Sequence, residues 1–110
     1  MRNELREDKR ITLSMQIVLE SVRGRPKARL RNLSLGGCFV DSIARVGKGE
    51  TVIFKVLLAN GQSRLLNGEV VRVFPLIGFS LCFTIITEEE ENLLKQIIDA
   101  NDKGTLNYID

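Results

Sequence analysis

Two clusters of side chains in this 110-residue chain have the chemistry to hold an anion. The first is Arg6-Glu7-Asp8-Lys9-Arg10, in which two guanidinium groups stand four residues apart just before an apolar segment. A guanidinium offers a planar fork of N–H donors that meets phosphate or the O6/N7 edge of guanine bidentately, and its flat face stacks on a purine. The second cluster is Asn32-Leu33-Ser34-Leu35-Gly36-Gly37. There the Asn32 amide can meet a base edge, the Ser34 hydroxyl can donate to a phosphate, and Gly36 and Gly37 admit close approach of backbone. Taken singly, each cluster has an ordinary explanation. A charged N-terminal stretch is commonly just solvated, and an N-x-S-x-G-G segment is a usual strand connection whose polar side chains bond the local backbone. Taken together they form a stronger case, because one precedes the first strand of a hairpin and the other follows the second, which brings them to the same end.

Other chemistries find little support. The chain has no histidine, the commonest acid/base catalyst and metal ligand. Its two cysteines, Cys38 and Cys82, lack the close spacing of a zinc site, and both sit in apolar, strand-like segments where a reduced thiol behaves as a small hydrophobe. No nucleotide-cradling glycine loop or nucleophile elbow is present, and Asp8, Asp41 and Glu50 show no spacing that pairs them. These features predict a binding protein that is not an enzyme and that needs neither metal nor cofactor.

The elements that must position the two clusters are strands. Ile11, Leu13, Met15, Ile17 and Leu19 alternate with polar residues, the period of a half-buried strand. Gly24 and Pro26 interrupt it, and Ala28 and Leu30 then alternate with Arg29 and Arg31 in a returning strand. A short run over Cys38 to Val40 follows, then an alternating strand through Val52, Phe54, Val56 and Leu58. Asn60-Gly61 predicts a two-residue type I′ hairpin. The next strand, Ser63 to Phe74, carries Gly68 as a candidate bulge or bend, and the last runs from Ile77 to Ile85. At Thr87 the period changes. Thr87 and Glu90 form a capping box, and Leu93, Leu94, Ile97 and Ile98 recur at helical spacing, so an amphipathic helix closes the chain as a lid on the strands or a partner-binding face. Turns about every ten residues favour a small barrel or sandwich over alternating strands and helices.

Composition bounds the reading to one globular domain: 44% hydrophobic, 27% charged, and only 5% aromatic, so aliphatic side chains build most of the core. No apolar run reaches the roughly 20 residues that span a bilayer, and the N-terminus is charged where a signal peptide is apolar, which predicts a cytoplasmic protein. The net charge of +2 conceals an asymmetry: residues 1–31 hold nine bases against four acids, hence +5, and the remainder carries −3. An anionic partner for the first third is implied.

The pattern R-x-x-x-R at Arg6 and Arg10, followed after twenty-one intervening residues by N-x-S-x-x-G at Asn32, Ser34 and Gly37, resembles the signature of the PilZ domain, a bacterial receptor family for the second messenger cyclic di-GMP. Asn67 to Val73 and Ile77 to Phe83 are similar to its late strands, so the resemblance covers about residues 5 to 100. It implies an all-β fold with one C-terminal helix, a six-stranded antiparallel barrel divided into an arginine arm (1–10), the barrel (11–86) and the helix (87–103). It implies a ligand site of Arg6, Arg10, Asn32, Ser34, Gly36 and Gly37. In that site Arg6 and Arg10 would stack on guanine and clamp phosphates, Asn32 and Ser34 would bond from the barrel, and Gly37 would keep the turn tight. The arm would order over the ligand, and an unidentified downstream partner in motility or biofilm control would read the new surface. Asn32 stands where many members carry aspartate, which implies weaker recognition of guanine, and apolar Leu5 beside Arg6 favours one ligand per protein. Two other readings are a PilZ-like interaction adaptor that binds no nucleotide and a small RNA-binding barrel that uses Arg25 to Arg31. Few aromatics are present on which an RNA could stack.

Overall fold

A computed structural model describes residues 9–84 and 86–102. Six strands, β1 (Ile11–Leu19), β2 (Lys27–Leu33), β3 (Gly37–Asp41), β4 (Thr51–Leu57), β5 (Ser63–Phe74) and β6 (Gly78–Phe83), precede one helix, α1 (Glu88–Asn101). All pair antiparallel in the closed order β1-β2-β3-β6-β5-β4, and the ring closes where Ile17, Val18 and Leu19 of β1 lie against Val56, Lys55 and Phe54 of β4. Closure pairs the strand edges that an open sheet would expose. The antiparallel six-stranded barrel with a terminal helix is therefore the fold, as expected.

Alternation does what the sequence predicts. Ile11, Leu13, Ile17 and Leu19 point inward to meet Leu30, Val40, Val52, Phe54, Val56, Leu66, Val70, Phe79 and Leu81. The helix begins with the expected box: the Glu90 N–H donates to the Thr87 hydroxyl and the Thr87 N–H donates to the Glu90 carboxylate, each at 3.1 Å. Leu94, Ile97 and Ile98 join the barrel core, so α1 covers the barrel as the lid its apolar stripe predicts.

Three local expectations differ. Asn60 does not take the positive φ that a type I′ turn demands. Gly61 alone does, at 90°, and the loop is Ala59-Asn60-Gly61, closed by bonds from the Gly61 N–H to the Leu58 carbonyl and from the Leu58 N–H to the Gln62 carbonyl. Gly68 is not a bulge. It pairs regularly with Val52, and its missing side chain makes room for Leu81, whose Cβ lies 3.1 Å from where a Gly68 Cβ would stand. The β5 bulge falls instead at Val71, between the pairs Val70–Leu81 and Arg72–Ser80. Finally, β6 starts at Gly78, with Ile77 exposed in the preceding turn.

Candidate functional site

β-Bulges set the outer face of the barrel. On β2 a simple alternation from Ala28 and Leu30 would turn Asn32 inward. Arg31 is instead an extra residue between the pairs Leu30–Val40 and Asn32–Phe39, and this shift sends Leu33 to the core and Asn32 to the outside. The Val71 bulge does the same for Arg72 on β5. The result is a continuous outward row across four strands: Asn32 beside Phe39, Phe39 beside Ser80, Ser80 beside Arg72. Among the expected site residues, Arg10, Asn32, Ser34, Gly36 and Gly37 all line one open cleft of about 510 Å³ that runs along this row past Phe39 and Ser80. That volume is within the range of small-molecule sites. Arg6 lies outside the described residues.

The turn between β2 and β3 is built by Ser34. Its hydroxyl is fully buried, accepts from the Gly36 N–H at 3.2 Å and contacts the Gly37 carbonyl at 3.4 Å, while its backbone N–H donates to the same carbonyl at 2.9 Å. Its serine chemistry is therefore engaged in shaping the turn that faces the cleft. Gly37 is explained by close approach and not by an unusual φ. A Cβ there would be driven into the Leu81 carbonyl of β6, with the carbonyl carbon at 3.2 Å and Cys82 Cα at 3.3 Å. Only glycine lets β6 come that near.

The arginines of β2, and Arg25 in the turn before it, are engaged by neighbouring side chains. Arg31 bonds Asp41 at 3.3 Å, Arg29 donates to the Ser14 hydroxyl at 3.2 Å, and Arg25 lies 3.7 Å from Glu20. Among the described residues none bonds the Arg10 guanidinium or the Asn32 amide, and both line the cleft. Lys9, next to Arg10, forms a 2.7 Å ion pair with Asp102 at the end of α1, and that carboxylate raises the Lys9 pKa by hydrogen bonding and charge attraction. The end of α1 has no basic residue in its last turn, so a cation from the chain before β1 meets the negative end of the helix dipole.

Sequence reasoning missed the rest of the cleft: Cys38, Phe39, Val71, Phe74, Ser80, Leu81 and Cys82. Phe39 was legible only as part of an apolar run, and Arg72 as one charge on a late strand. The two cysteines also separate. Cys38 is buried, and burial pushes its thiol up to about 12 against the opposing pull of the Arg10 charge. Cys82 is exposed in the cleft and is not the core hydrophobe expected of it. Cys38 pairs with Leu81 while Cys82 pairs with Gly37, which places the thiols on opposite faces of the sheet as free cysteines.

Comparison with known proteins matches residues 4–100 to the family model described as PilZ domain. Comparison with curated proteins gives no match. Among solved structures the chain is similar to Escherichia coli YcgR in complex with c-di-GMP, with TM-score 0.71, 16% identity, and coverage of 93% of this chain and 48% of that one. It is similar also to the PilZ domain of CeSA from a cellulose-synthesizing bacterium, with TM-score 0.63, 18% identity, and coverage of 84% and 96%. A third similar structure is an uncharacterized protein from Legionella, with TM-score 0.56, 19% identity, and coverage of 86% and 99%. The chain thus spans about half the length of YcgR, and these likenesses carry the fold.

Proposed function

We propose, from the premise that this chain belongs to the PilZ domain family, that it is a cyclic di-GMP receptor whose ligand lies in the cleft between the arginine arm and the β2–β3 turn. The observation that carries this reading is that Arg10, Asn32, Ser34, Gly36 and Gly37, brought from the arm and from the turn, line one open cleft. YcgR, a structure of the same fold, was solved with that nucleotide bound. In this reading Arg10, with Arg6 from the arm, supplies flat, fully charged forks to guanine and phosphate, and Asn32 meets the base edge. Ser34 holds the turn that presents the backbone of Gly36 and Gly37. The protein performs no reaction of its own. Ligand draws the arm across the cleft, and a partner protein reads the altered surface in the cytoplasm, in control of motility or biofilm formation. No helix among the described residues is long and apolar enough to cross a membrane.

Calorimetric titration with cyclic di-GMP, with GTP and cyclic AMP as controls, tests the reading. Saturable binding of cyclic di-GMP alone supports it, with a shallow dependence on salt because the ligand carries only two phosphates. Arg10→Ala should weaken binding by about 1.5 to 3 kcal/mol, the strength of a hydrogen bond to a charged group, and leave the melting temperature of the free protein unchanged. Equal affinity in wild type and Arg10→Ala would remove Arg10 from the site.

A further inference from the structure

We propose that Phe39 and Phe74, steadied by Arg72, form the platform on which a guanine base of the ligand stacks. The proposal rests on the receptor reading and adds to it the residues that set its preference for a purine. Three of the five phenylalanines, Phe54, Phe79 and Phe83, are spent on the core. Phe39 and Phe74 are not: both stand half-buried in the cleft, with ring centroids 5.8 Å apart at an interplanar angle of 54°. Neither has the burial of a core residue, and polar side chains would serve an ordinary solvent face as well.

Their placement is what a base would require. Phe39 is the cross-strand neighbour of Asn32, about 5 Å away by the spacing of paired strands. A base whose edge is bonded by the Asn32 amide therefore extends over the next strand, where the Phe39 ring lies. That ring sits against bare backbone, since a Cβ on Gly78 would come within 2.8 Å of its Cζ. Gly78 thus lets the ring lie close to the sheet and leaves its outer face to the cleft. Arg72, the cross-strand neighbour of Ser80, lies 5.3 Å from the Phe74 centroid, within cation–π range, so it holds the second ring. Aromatic stacking is attractive for any base, and with the Asn32 amide at its edge the platform favours a purine dinucleotide over a bare phosphate.

The test uses the whole chain and cyclic di-GMP in two measurements. In proton NMR of the wild-type complex, the guanine H8 resonance should move upfield from ring current. Phe39→Leu and Phe74→Leu, which keep apolar volume and lose the aromatic face, should reduce that shift and weaken binding about ten-fold each, the loss expected on removing a stacking partner. An unshifted H8 in the wild-type complex overturns the platform even if neither variant folds. So does wild-type affinity in both leucine variants while Arg10→Ala fails to bind, an outcome that leaves the receptor reading standing. Absence of binding by the wild type overturns both.

Discussion

Gly37→Ala tests whether the β2–β3 turn is a matter of backbone freedom or of strand approach. Gly37 has no positive φ, so alanine is compatible with its conformation and would by itself add up to about 1 kcal/mol by restricting the unfolded chain. The new Cβ, however, meets the Leu81 carbonyl and its carbon, which belong to backbone and cannot rotate away. To admit it, β3 and β6 must part by roughly 1 Å, the kind of shift that overpacking forces at a cost of about 1 to 3 kcal/mol. The bond most exposed to that movement is Phe83 N–H to the Gly36 carbonyl, 2.9 Å, which ties β6 to the turn before β3 and contributes about 1 kcal/mol. The net loss is about 2 kcal/mol, a fall in melting temperature of roughly 8–12 °C for a domain of this size. Thermal and urea denaturation measure it, with Gly47→Ala as the control because that Cβ meets only Glu50 Oε1 at 3.9 Å. Melting of Gly37→Ala within about 2 °C of wild type would refute the close-approach argument and return this glycine to a purely ligand-facing role.

The remaining predictions address the cleft and its two thiols. Asn32→Asp should tighten cyclic di-GMP binding by about 1 kcal/mol, because a carboxylate accepts both N–H donors of the guanine edge and an amide oxygen accepts fewer; weaker binding, read by calorimetry, would place Asn32 against phosphate instead. Thiol labelling of the native protein should modify Cys82 and spare Cys38, and saturating ligand should slow the Cys82 reaction; equal rates with and without ligand would put the ligand elsewhere. Since the Cys38 pKa rises on folding from 9.0 to about 12, the unfolded chain ionises first. Stability is then intact below pH 9 and falls as pH climbs toward 12, and the melting temperature of Cys38→Ala should decline less steeply over that window than that of wild type.

Much of the fold is legible in the sequence because strand alternation and the capping box are local signals. Ile11 through Leu19 state their inward face residue by residue, and Thr87 with Glu90 marks the helix start without reference to anything distant. The motif pairs, Arg6 with Arg10 and Asn32 with Ser34 and Gly37, are legible for the same reason. Bulges are not. Nothing in Arg31 or Val71 announces an extra residue, because a bulge is a mismatch between two strands, and yet the bulge at Arg31 decides that Asn32 faces out. The misreadings of Gly68 and Cys82 have one origin. A glycine in a strand has several uses, and which one applies depends on the side chain opposite, here Leu81. An alternating strand shows which residues share a face but not which face is inside when its residues are of mixed character, as in Gly78-Phe79-Ser80-Leu81-Cys82-Phe83. The sequence by itself determined the strands, the helix and which residues are candidates to hold an anion, through periods and spacings carried along the chain. Only the tertiary structure decided that Phe39, Ser80 and Arg72 stand in line with Asn32, because lateral register is fixed by pairing between segments that are distant in the chain, as Phe39 is from Ser80, and leaves no trace within either one.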